Sequence, residues 1–110
     1  MHLLTMFRKG LIKVGSRVRC VNPIWTDYGT GPHATGGAPF EEIFIYGKIY
    51  RVTEVVPRTR MVVRGEGKME YCFPVPRRGM TERHIELARK GFEHFILHGH
   101  EQILSRHIKI

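Results

Sequence analysis

His84, His94, His98, His100 and His107 crowd the last third of the chain, and on an extended strand His94, His98 and His100 would project from one face. Imidazoles so placed could hold zinc or another borderline metal. HFILHGH is not a recognised ligand spacing, however, Gly99 interrupts a strand between the last two histidines, and no carboxylate stands behind them to orient a ligand. His94, His98 and His100 are kept as metal candidates only, and no cofactor is expected. Acid–base catalysis needs paired titratable groups converging in one pocket. Asp27, the only aspartate, lies in a Gly/Pro-rich stretch, Glu41 and Glu42 point apart if extended, and Ser16 and Ser105 lack a GxSxG frame. Gly29, Gly31, Gly36 and Gly37 fit neither a GxxxxGK[ST] nor a GxGxxG frame leading into a helix. No catalytic residue is assigned, and the expectation is a non-enzymatic binding module.

The basic residues carry the stronger signal. Eighteen Lys and Arg face ten Asp and Glu, for a formal net charge of +8, so the surface attracts polyanions. Arg17 and Arg19 share one face of a first strand, Arg60 and Arg64 share one face of a third, and Arg58, Arg77 and Arg78 stand at turns. If the strands pair as a meander, these positions merge into one positive surface. Trp25, Tyr28 and Tyr46 are interleaved with it and could stack on bases or pack against a partner. Nucleic acid, DNA or RNA, is the leading partner, and an acidic protein surface is the alternative. Arginines that merely solvate the outside of a domain are the plain competing explanation, opposed by the deficit of acids. Trp25 has two readings: folded back to cap the open end of a small core, which is favoured because an exposed indole is costly, or exposed as an interface anchor.

Short strands must position these residues. VGSRVRCVN opens with a Gly15-Ser16 turn and alternates Val18 and Cys20 with Arg17 and Arg19. Residues 22–42 form a long Gly/Pro-rich loop. The segment after it is β-branched and aromatic, and its phase slips between Val52 and Val55, as a bulge would make it do. Pro57-Arg58-Thr59 is a turn, RMVVRG a third strand, and Gly65-Glu66-Gly67 a tight hairpin returning through KMEYCF, with Met69, Tyr71 and Phe73 on one face. An insertion over 74–91 carries one short helix near 82–90, capped by Thr81 and stopped by Gly91. FEHFIL and SRHIKI read as strands. The 110 residues make one domain, with 1–12 an N-terminal extension.

The result is a mainly β fold: a small antiparallel barrel of about five strands with one inserted helix. KVGSRVRCVN, a long loop and YGKIYRVTEV resemble the opening of SH3-like barrels, in particular small phage and prophage proteins of unknown function that begin "VGdxVxCV" and continue "kGKxYxV". LSRHIKI is similar to their last turn and strand, "xxRFxxI", with His107 where an aromatic is usual. The resemblance covers roughly half the chain, is weakest between Pro74 and Gly99, where such proteins have only a short connection, and implies a fold rather than a chemistry. It adds one functional alternative, a phage-type inhibitor or accessory subunit that docks on a host enzyme or defence complex.

Cys20 and Cys72, without CxxC spacing, read as two buried reduced thiols. An exposed Cys20 beside Arg19 would instead have a lowered pKa. MHLLTMFRKGLIKV contains no apolar run long enough for a signal peptide or a membrane span. The expected compartment is cytoplasmic, with no membrane partner.

Overall fold

Alternation in RVRC does what the sequence pattern requires: in β1 (Arg17–Cys20) Val18 and Cys20 are fully buried while Arg17 is exposed and Arg19 half-buried. The computed structural model describes residues 2–26 and 41–100. Its other strands are β2 (Ile24–Thr26), β3 (Glu41–Phe44), β4 (Ile49–Val56), β5 (Arg60–Arg64), β6 (Glu70–Pro74) and β7 (Phe95–Leu97). Two helices, α1 (Leu3–Arg8) and α2 (Glu82–Glu93), and a 3-10 turn at Glu66–Lys68 complete the described chain. Five strands form one antiparallel sheet in the order β6-β5-β4-β1-β7, and β2 and β3 make a separate two-stranded ribbon. The fold is thus mainly β, with strands β6 and β7 as the edges of the large sheet. Among the described residues no pairing between those edges closes it into a barrel.

The inner face of the sheet is filled by Val18, Cys20, Tyr50, Val52, Met61, Val63, Phe73 and Phe95. Phe44, which no solvent reaches, sits at the centre, with ring centroids of Tyr50, Phe95, Tyr71 and Phe73 at 4.8, 5.0, 5.5 and 5.9 Å, all edge-on. Such edge-to-face pairs add about 0.5–1.5 kcal/mol each beyond their burial. The phase slip in the fourth strand is a bulge: Val52 pairs with Val63 and Glu54 with Val62, leaving Thr53 over. Arg58 adopts φ 62° in the turn that follows.

The expected 22–42 loop is strand at both ends, with β2 at Ile24–Thr26 and β3 beginning at Glu41. The N-terminal extension is part of the core, because Leu3, Leu4, Met6 and Phe7 of α1 and Ile12 after it are buried. Phe7 meets Phe92 edge-on at 5.5 Å. The inserted helix begins where expected, Thr81 Oγ1 accepting from the His84 N–H at 3.2 Å, but it runs through Gly91 to Glu93. Gly91 is used for close packing: a Cβ there would stand 3.2 Å from Phe73 Cδ1. Helix thereby claims Phe92 and Glu93, and only Phe95–Leu97 of FEHFIL is strand. SRHIKI lies outside the described residues. In the β5–β6 connection Gly67 takes φ 70°, whereas Gly65 is needed because a Cβ would come within 2.9 Å of the Ile43 carbonyl oxygen. Met69 ends that turn exposed instead of sharing the buried side with Tyr71 and Phe73. Only one thiol is buried: Cys20 is inside, and Cys72 faces outward. Burial raises the Cys20 pKa above the ordinary thiol value, so the neighbouring Arg19 does not activate it.

Candidate functional site

Antiparallel pairing puts directly opposed residues on the same side of a sheet. On the outer side the register runs Arg17 opposite Arg51, Arg51 opposite Arg64, and Arg64 opposite Glu70. Three arginines from three consecutive strands therefore stand in one row, all exposed. His98 continues the row past Arg17, its N–H donating to the Arg17 carbonyl at 2.8 Å. Neighbouring strands lie about 4.8 Å apart, and two unit charges at that distance in water repel by roughly 0.9 kcal/mol. Like charges directly opposed on a sheet destabilise it. Arg64 is relieved by Glu70 at 3.3 Å, but Arg51 lies between two arginines, and neither it nor Arg17 has an ion pair among the described residues.

Two residues along the strands lies a second row of different character. Arg19 is opposite Ile49 on one side and Ile96 on the other. Its guanidinium donates to the Gly47 carbonyl, which turns the charge toward the β3–β4 connection and leaves Ile49 partly exposed. Tyr46, in that connection, is 70% exposed. The connection is held firmly: Gly47 N–H donates to the Cys20 carbonyl at 2.7 Å and Cys20 N–H to the Lys48 carbonyl at 3.0 Å. Beneath it, the Tyr50 hydroxyl accepts from the Ile45 N–H and donates to Glu66, both at 2.7 Å. Lys48 Nζ binds the same carboxylate at 2.8 Å. Lys48 and then Tyr50 hold the Glu66 carboxyl below its ordinary range, while burial, ahead of the Glu66 carboxylate, pushes the Tyr50 phenol up. The clamp is structural, fixing the turn that carries Tyr46.

Of the residues expected to form a positive surface, Arg17, Arg19 and Arg64 come together on this face. Arg60 shares it but is engaged by Glu54 at 2.9 Å. Arg58 is exposed in the β4–β5 turn, and Arg77 and Arg78 are exposed beyond β6. Trp25, expected to fold back over the core, is instead 56% exposed on β2, in the two-stranded ribbon separate from the large sheet. Tyr28 lies outside the described residues, as does Asp27. Arg51 was missed, although alternation from the buried Tyr50 and Val52 points it outward. The metal candidates do not converge. His94 ends α2 with its Nδ1 donating to the Asn22 carbonyl at 2.7 Å, His98 follows β7, and His100 lies past the Gly99 turn at φ 99°. Among the described residues no three His, Cys, Asp or Glu side chains are grouped to hold a metal ion. No helix of the described residues is long and apolar enough to cross a membrane. No protein-family model, curated protein or solved structure matches this chain.

Proposed function

We propose that this protein is a non-catalytic binding module that takes nucleic acid on the outer face of its sheet. The observation that carries the reading is the opposed row Arg17, Arg51 and Arg64, which costs stability in the free protein and is relieved when phosphates lie between the guanidiniums. A solvating surface has no need of that register, since the same charges two positions apart along their strands, still on the outer face, would repel less. We further propose an SH3-like arrangement related to the small phage and prophage proteins. Its supports are the VGSRVRCV and YGKIYRV segments, the long connection between β1 and β4, and a strand order that sets β7 beside β1.

The test is fluorescence anisotropy with a labelled oligonucleotide titrated at several salt concentrations. Three neutralised phosphates give a slope of log K against log salt of about −2 to −3. Binding that does not depend on salt, or no binding at low salt, overturns the proposal.

Exposed Trp25 supports a second reading, an accessory subunit or inhibitor docking on an acidic face of a host enzyme or defence complex. Capture of one host protein that survives nuclease and is lost in Trp25→Ala is the outcome that favours it.

A further inference from the structure

Resting on the nucleic-acid reading, we infer that the bound form is a single strand lying across β1, β4 and β5, with its phosphates on the arginine row and its bases over Ile49 and Tyr46. The face carries two parallel lanes. One is cationic: Arg17, Arg51 and Arg64, in direct register across three strands. The other, two residues further along β1 and β4, and therefore about 6.8 Å away, is apolar: Ile96, the stem of Arg19, and Ile49, and at its end Arg19 reaches the carbonyl of Gly47, next in the chain to the 70% exposed Tyr46.

An unpaired strand presents this same pair of edges, charge along one and flat apolar base surface along the other. A duplex does not, because its bases are stacked inside and both outer margins are phosphate. Arg19 sharpens the distinction. Its guanidinium is bound to the Gly47 carbonyl, so the charge that would make the second lane cationic is drawn to the rim, and the hydrocarbon stem is what remains beside Ile49. Among the described residues, no helix stands on this face to enter a duplex groove. Both helices belong to the opposite side of the sheet, where Phe7 packs on Phe92 and Gly91 on Phe73. A bare sheet with an aromatic at its margin suits stacking on splayed bases, and a major groove is read by a protruding helix or ribbon.

The experiment compares a labelled 12-nucleotide single strand with its own duplex against wild type, Tyr46→Ala, Arg51→Ser and the double variant, at one low salt concentration. Melting curves of each variant serve as the folding control; both residues are exposed and outside the core. The expected result is single-strand binding at least about tenfold tighter than duplex, with Tyr46→Ala weakening the single strand by about tenfold and leaving the duplex unchanged, while Arg51→Ser weakens both. Equal or tighter duplex binding, still sensitive to Arg51→Ser, overturns this inference and leaves the nucleic-acid reading in place. Single-strand binding indifferent to Tyr46→Ala also overturns it. Binding of neither form overturns both.

Discussion

Along α2 three glutamates (Glu82, Glu86, Glu93) alternate with three basic residues (Arg83, Arg89, Lys90), and Lys90 reaches Glu86 at 3.3 Å one turn back. Across β1, β4 and β5, five arginines (Arg17, Arg19, Arg51, Arg60, Arg64) share those strands with one glutamate, Glu54, and a second, Glu70 on β6, reaches Arg64. Both surfaces are solvated, yet only the helix balances its charge locally. A helix brings residues four apart together whatever else the chain does, so its neutrality is written into its own segment. The sheet face gathers arginines distant in sequence, and its repulsion is the product of the pairing. The row of Arg17, Arg51 and Arg64 is the part of that excess on which the proposed anionic ligand rests.

Substitutions at four positions separate the helix from the sheet face. Phe44→Ala removes the ring under both β4 and β6 and should cost about 3–5 kcal/mol, measured by denaturant unfolding; a cost below about 1 kcal/mol would mean that the aromatic cluster does not organise the sheet. Next in size is charge reversal. Arg51→Glu should weaken oligonucleotide binding by at least about tenfold and lower the salt slope by about 1, whereas Lys90→Glu, the same change in net charge on α2, should shift it less than about twofold. Because the new carboxylate would stand between Arg17 and Arg64, the same substitution should raise stability by about 0.2–1 kcal/mol. Equal loss of binding from both substitutions would reduce the sheet face to generic positive charge.

Third is the clamp that carries Tyr46. Lys48 and Tyr50 hold the Glu66 carboxyl below its ordinary range, so its contribution is present above the unfolded carboxylate value of about 4.3 and is lost as pH falls through the lower folded value. Glu66→Gln should therefore cost about 1 kcal/mol near neutrality, with the difference from wild type shrinking below about pH 4. A difference independent of pH would remove the ionised Glu66 from the clamp. Smallest is Lys90→Ala, which gives up the helix pair with Glu86 and should cost about 0.3–0.5 kcal/mol in thermal unfolding, in contrast to the gain expected from Arg51→Glu.

Local pattern made much of this legible. Alternation in RVRC and RMVVR separates buried Val18, Met61 and Val63 from the exposed arginines beside them, and the slip between Val52 and Val55 locates the bulge left over at Thr53. Thr81 announces the start of α2. Its end was not legible, because Gly91 by itself fits an αL stop as well as a close helix–strand contact, and only Phe73 on β6 decides between them. The buried role of Leu3, Leu4, Met6 and Phe7 was missed for a similar reason: a six-residue helix has little stability of its own and is held by Phe92, far along the chain. Trp25 could be assigned only by knowing that β2 pairs with β3 and, among the described residues, with no strand of the large sheet.

Which side of each strand is apolar, where the chain turns, and the excess of positive over negative charge can be read along the chain. Those are properties of neighbours along the chain, fixed by side-chain periodicity and by glycine and proline chemistry. That Arg17, Arg51 and Arg64 face one another, and that Arg19 stands opposite Ile49 and reaches the Gly47 carbonyl next to Tyr46, emerges only in the folded sheet. That depends on the register between strands, and register is set by how distant segments share one core, with the single extra residue at Thr53 shifting every pairing beyond it.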